Sequence, residues 1–91
     1  MKGATEAARK LTSALKKAER ACRKDLAAAE RRYASIREVQ DILGKHFYRI
    51  VYPVMLAHSN VGAADTEPRT VAKDYLNKVA NEYGFYGYLD F

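Results

Sequence analysis

Residues 8–35 read ARKLTSALKKAERACRKDLAAAERRYAS, with basic residues side by side at 9/10, 16/17, 23/24 and 31/32. Apolar or small residues recur at 8, 11, 15, 18, 22, 26, 29 and 33, and the same steps continue through 36, 39, 43, 47 and 50. Steps of three and four are the spacing of one stripe of an α-helix. The rhythm is a heptad up to Cys22. Two successive steps of four (18 to 22, 22 to 26) then insert a residue, which is a stutter. The basic doublets slip by one residue at the same place. Charge therefore keeps register with the apolar stripe. With Ala8, Leu15 and Cys22 in position a, the residues Arg9, Lys16 and Arg23 are b, and Lys10, Lys17 and Lys24 are c. At ~100° per residue these positions lie opposite the a/d seam.

The spacing predicts one amphipathic basic helix over 4–43, ~60 Å long at 1.5 Å per residue. Its seam is small: Ala8, Ala14, Ala18, Ala21, Cys22, Ala28 and Ala29 flank only Leu11, Leu15 and Leu26. Alanine buries little area but lets a second helix approach closely. From Tyr33 the stripe turns bulky, through Ile36, Val39, Ile42 and Leu43, and the core is expected to begin there. A helix longer than a compact chain of 91 residues must project or pair. Coiled-coil pairing into a homodimer over 8–36 is therefore expected, because small chains gain burial by association.

Gly44 reads as the stop of this helix. HFYRIVYPVMLAH follows at 46–58, apolar on every side except at Arg49. Periodicity allows a buried helix or strand here, and β-branched and aromatic content leans to strand. No neighbouring strand is present to pair with, so a buried helix over 45–58, kinked or ended near Pro53, is the favoured reading. SNVGAAD makes 59–66 a loop. A helix follows over 67–83, with Pro68 in its first turn and Val71, Tyr75, Leu76, Val79 and Tyr83 as its buried stripe. Gly84 is its terminator. Residues 84–91 form an extended aromatic tail. The fold class is all-α: a single helical domain over 1–91, with a long basic N-terminal helix, two shorter helices and that tail.

Apolar residues are 48% of the chain and prolines number two, which excludes a chain disordered by composition. Charge is unevenly placed. Residues 1–49 hold 13 basic and 6 acidic groups, and residues 50–91 hold 3 and 5, so +7 and −2 make up the net +5. A basic half suggests a polyanionic partner. One cysteine, Cys22, cannot close an internal disulfide, which suits a reducing, cytoplasmic setting. No secretory h-region is present, and Glu6 does not suit a mitochondrial transit segment. FYRIVYPVMLA at 47–57 is far short of the ~20 apolar residues a membrane span needs.

No catalytic arrangement stands out, so the chain reads as a non-enzyme without cofactor or small-molecule substrate. His46 and His58 flank the apolar segment and read as boundary histidines. Cys and His lack zinc-ligand spacing, so no metal site is expected, and no phosphate-loop glycine spacing occurs.

Three readings of the basic face remain. In the first, Arg9, Lys10, Lys16, Lys17, Arg20, Arg23, Lys24, Arg31 and Arg32 bind the phosphate backbone of a nucleic acid, largely without reading sequence. A plain solvated face would also carry lysine, but it mixes signs, whereas the b and c positions here are all positive. In the second, the chain is an inhibitor, adaptor or assembly subunit that engages an acidic protein surface. Its tail aromatics Phe85, Tyr86, Tyr88 and Phe91 would then be the anchor, unless the tail folds back to finish a thin core. The third, a helix lying on anionic lipid, ranks last because its apolar face is mostly alanine. No membrane partner is expected.

Overall fold

Ser35 decides the architecture. In a computed structural model describing residues 2–57, 66–87 and 89–91, helix α1 (Lys2–Arg31) ends four residues before a second helix, α2 (Ile36–His46), begins. Ser35 is the N-cap of α2, and its hydroxyl accepts the amide N–H of Glu38 at 3.2 Å. That is half of an S-x-x-E capping box. On the other side of the break, Tyr33 takes a left-handed backbone, φ +53°. The Ala34 N–H then reaches the Ala29 carbonyl (2.9 Å), and the Tyr33 N–H reaches Glu30 (3.3 Å). Those two bonds satisfy carbonyls that a helix end otherwise leaves orphaned.

The helix expected over 4–43 is therefore two helices, folded back on each other as an antiparallel hairpin. The long dimension of the molecule is 46 Å, which is the length of α1 alone at ~1.5 Å per residue. The length argument for a homodimer disappears with the ~60 Å rod. The seam argument goes too. Ala14, Ala18, Cys22, Leu26 and Ala29 are buried within one chain, whereas Ala8 and Ala28, expected in the same seam, are exposed because they lie off the face that the other helices cover.

Gly44 does not stop the second helix. It lies inside α2, and a Cβ there would stand 3.4 Å from that of Phe91. The glycine is a place of close approach by the tail. α2 passes without interruption into a π-helical turn (Phe47–Val51) and then α3 (Tyr52–Ala57), so the segment expected as a helix over 45–58 is the far part of a longer arm. Pro53 accounts for the widened turn. It has no N–H and crowds the carbonyl four residues back. The Tyr52 N–H donates five residues back, to the Phe47 carbonyl. The widening has a packing consequence. Val39, Leu43, Phe47, Val51 and Met55 are buried at steps of four. In an α-helix such a stripe drifts ~40° per step. A π turn rotates less per residue and brings the stripe back towards the core.

The loop expected over 59–66 lies outside the described residues, apart from Thr66, which already opens α4 (Thr66–Glu82). Among the described residues of α4 the inward stripe is Ala72, Leu76, Val79 and Ala80, with Asn77 buried beside them. The sequence expectation placed Val71 and Tyr75 inside. Both are exposed, because the alanines let α4 sit close on a face rotated from theirs. Gly84, at φ +90°, terminates α4 as expected. Its N–H bonds Asn81 (3.1 Å), and the Phe85 N–H bonds Ala80 (3.2 Å), the same two-bond closure that ends α1 at Tyr33.

One core joins α1, the α2–α3 arm and α4, and includes Leu89 of the tail. It begins near Ala14, well before Tyr33, which is 93% exposed. The tail is the lid of this core. Asn77 donates to the Leu89 carbonyl (3.0 Å) and accepts its N–H (2.9 Å). Asn81 donates to Phe85 at 2.7 Å. Phe91 packs edge-on to Phe47, ring centres 6.0 Å apart. Lys73 Nζ stands over both rings at 5.6 Å, a cation–π arrangement that seals the edge of the cluster.

Candidate nucleic-acid interface

The buried face of α1 dictates where its charges go. At ~100° per residue, Arg9, Lys10, Lys16, Lys17, Arg20, Arg23, Lys24 and Arg31 fall in a sector roughly 140° wide, centred opposite the buried alanines. All are exposed except Arg23, which is half-buried. From Arg9 to Arg31 the stripe runs ~33 Å.

Two of the eight are ion-paired. Lys10 pairs with Glu6 at 3.5 Å. Arg23 is held by Glu19 (2.7 Å) and by Glu82 of α4 (2.8 Å), and Glu19 also accepts the Tyr75 hydroxyl. Hydrogen bonds from Tyr75 and then Arg23 hold the Glu19 carboxyl below its ordinary range. Arg23 is therefore a clamp between α1 and α4, unlike the unpaired cations beside it. Arg32 lies beyond the end of α1 and is held by Glu38 at 2.9 Å. Arg9, Lys16, Lys17, Arg20, Lys24 and Arg31 have no carboxylate in ion-pair contact among the described residues.

The stripe curls around one flank of α1 into a groove against the α2–α3 arm, about 680 Å³ in volume. Lys10 and Lys17 line it from α1, and Arg49 faces them from the π turn, over apolar Ala14, Ile50 and Val54. Arg49, the one charge in FYRIVYPVMLA, is not among the cations expected on the basic face. Nothing local to α1 could show that a residue over thirty positions away would complete its flank.

His46 lines the same groove, and its ring Nε2 lies 2.7 Å from Asp25 Oδ2. That bond, with Lys45 at 3.6 Å, holds the Asp25 carboxyl below its ordinary range. His46 is thus a buried, partnered histidine that ties α2 to α1. Cys22 is wholly buried, and burial pushes its thiol up to about 12, far from a nucleophilic thiolate at neutral pH. Among the described residues no group of three or more His, Cys, Asp or Glu side chains is placed to hold a metal ion, and no helix is long and apolar enough to cross a membrane.

The tail residues expected as a protein anchor are divided. Phe85 and Phe91 are partly buried against the core, Tyr86 is 76% exposed, and Tyr88 lies outside the described residues. Comparison with known protein families, with characterised proteins and with solved structures gave no match.

Proposed function

We propose that this chain is a non-enzymatic nucleic-acid-binding protein that grips the phosphate backbone, largely without reading sequence, through the solvent face of α1. One observation carries the reading. Six cations stand unpaired among the described residues on one straight helix face, while Asp25 is drawn to His46 of α2 and Glu19 is shared between Arg23 and Tyr75 of α4. A lysine-rich face that served solubility alone gains nothing from such segregation of sign. Counterion release from about six phosphates predicts a log–log salt slope near −5 on duplex DNA. Absence of binding to duplex and single-stranded probes at low salt overturns the proposal.

A second reading has its own support. The groove between Lys10, Lys17 and Arg49 has an apolar floor, a shape that suits an amphipathic acidic segment of a partner protein. Binding to such a segment would weaken on Arg49→Glu while leaving contacts on the far side of α1 intact. The tail contributes less to this reading than its composition suggests, because Leu89 and Phe91 are engaged inside the molecule.

A further inference from the structure

Tyr33 stands against the economy of the rest of the fold. The molecule closes two helices with the same pair of backbone bonds. At one closure the left-handed position is Gly84, φ +90°, and at the other it is Tyr33, φ +53°. Left-handed backbone is disfavoured for any residue with a Cβ, and most of all for bulky ones. A tyrosine there would be expected to recover the cost by burial, yet Tyr33 is 93% exposed and contributes nothing to the core. Ile36, on the first turn of α2, is also half exposed.

The surroundings are cationic. Arg31 and Arg37 flank the ring in sequence, exposed and without an ion-pair partner among the described residues. Arg32 is held in place by Glu38. The hairpin tip therefore presents an exposed aromatic ring in a stretch of sequence that also carries the half-exposed Ile36 and the unpaired Arg31 and Arg37, at the end of the basic stripe. Bases of a duplex are stacked on each other and cannot use such a face, whereas unpaired bases can.

We infer that the hairpin tip is a stacking platform for an unpaired nucleobase, with Tyr33 under the base and Arg31 and Arg37 on the flanking phosphates, so that the preferred ligand is single-stranded nucleic acid. The inference rests on the reading of α1 as a phosphate-binding face and adds a site that this reading lacks. Tyr33 is held out by the backbone at the cost of local strain, which is where strain in a folded chain becomes informative.

The test uses the full chain with a fluorescein-labelled 20-nucleotide oligothymidine and a 20-base-pair duplex at equal low salt. Tyr33→Gly relieves the backbone strain, so this variant stays folded and melts higher than the parent. It should bind the oligothymidine about tenfold more weakly and the duplex within twofold of the parent. Tyr33→Phe should bind both probes as the parent does. Unchanged oligothymidine binding by Tyr33→Gly overturns the platform while duplex binding keeps the α1 reading intact. Equal losses on both probes also overturn it, since stacking on an unpaired base cannot weaken duplex binding. If the parent binds neither probe, the α1 reading fails and the platform with it.

Discussion

Replacing Asn77 with alanine should detach the tail. The Asn77 amide makes two hydrogen bonds to one residue, donating to the Leu89 carbonyl and accepting its N–H, and both partners are buried. Each bond contributes about 1 kcal/mol net. If the tail stays down in the variant, two buried backbone groups of Leu89 lose their partners. If it lifts to reach water, Leu89 gives up burial of its side chain, which is 3% exposed, at a cost of roughly 1.5–3 kcal/mol. Either route sums to about 2–3 kcal/mol. For a domain of this size that corresponds to a fall in Tm of ~10–20 °C.

Asn77→Asp sharpens the test. It has the same shape and can still accept the Leu89 N–H, but at pH 7 it faces the Leu89 carbonyl with a carboxylate, and should cost at least as much as alanine. Thermal melts followed by circular dichroism measure both, and chymotrypsin should cut at Phe85 and Tyr86 faster in the variants. A Tm within about 3 °C of the parent for Asn77→Ala, with no change in cleavage, would refute the account of the tail as a structural lid.

Neutralising Lys16, Lys17, Arg20 and Lys24 to Gln should flatten the salt slope on duplex DNA from about −5 to about −2 with little change in melting, since all four are exposed and unclamped. A slope that stays steep would move the binding face elsewhere. Arg23 must be left in place, because removing it opens the α1–α4 clamp and confuses folding with binding. Stability should fall in acid for a defined reason. Asp25 and Glu19 have carboxyls held below their ordinary range by His46 and by Tyr75, so their contribution is complete above pH ~4–5 and is lost as pH falls through the folded values. Urea midpoints between pH 2 and 7 should show this limb, and an Asp25→Asn, Glu19→Gln variant should flatten it; an unaltered limb assigns acid sensitivity to other groups. Cys22 should resist thiol reagents at pH 8 until denaturant is added, because the thiol is buried and held protonated. Rapid labelling of the native protein would mean that the core opens at the α1 seam.

The signal for the hairpin was in the sequence and was outvoted. Ser35-x-x-Glu38 is a helix start, but the apolar steps through 33, 36, 39 and 43 run straight across it. Both helices must show inward stripes, and when they are joined by a short turn the two stripes can keep helical spacing by coincidence. Tyr33 belongs to that stripe by its chemistry, and its left-handed backbone turns it out of the core. Val71 and Tyr75 misled in the same way. Their bulk suggested burial, whereas Ala72 and Ala80, which promise little area, were chosen because they let α4 approach closely. Composition alone allows the tail either to fold back over a thin core or to anchor a partner; it carries no periodicity, so only the Asn77–Leu89 bonds decide for docking.

By itself the sequence determined that this chain is helical, that α1 buries Ala14, Ala18, Cys22 and Leu26 and turns most of its cations to water, and that Gly84 ends α4. These are local consequences of 3.6 residues per turn and of which backbone conformations a Cβ permits. The tertiary structure alone decided that Arg49 lines one groove with Lys10 and Lys17, that Glu82 claims Arg23, and that Asn77 pins the aromatic tail over the core. Each of these depends on segments distant in the chain competing for the same buried surface, and no local pattern encodes that competition, because its outcome is a sum over contacts that exist only after folding.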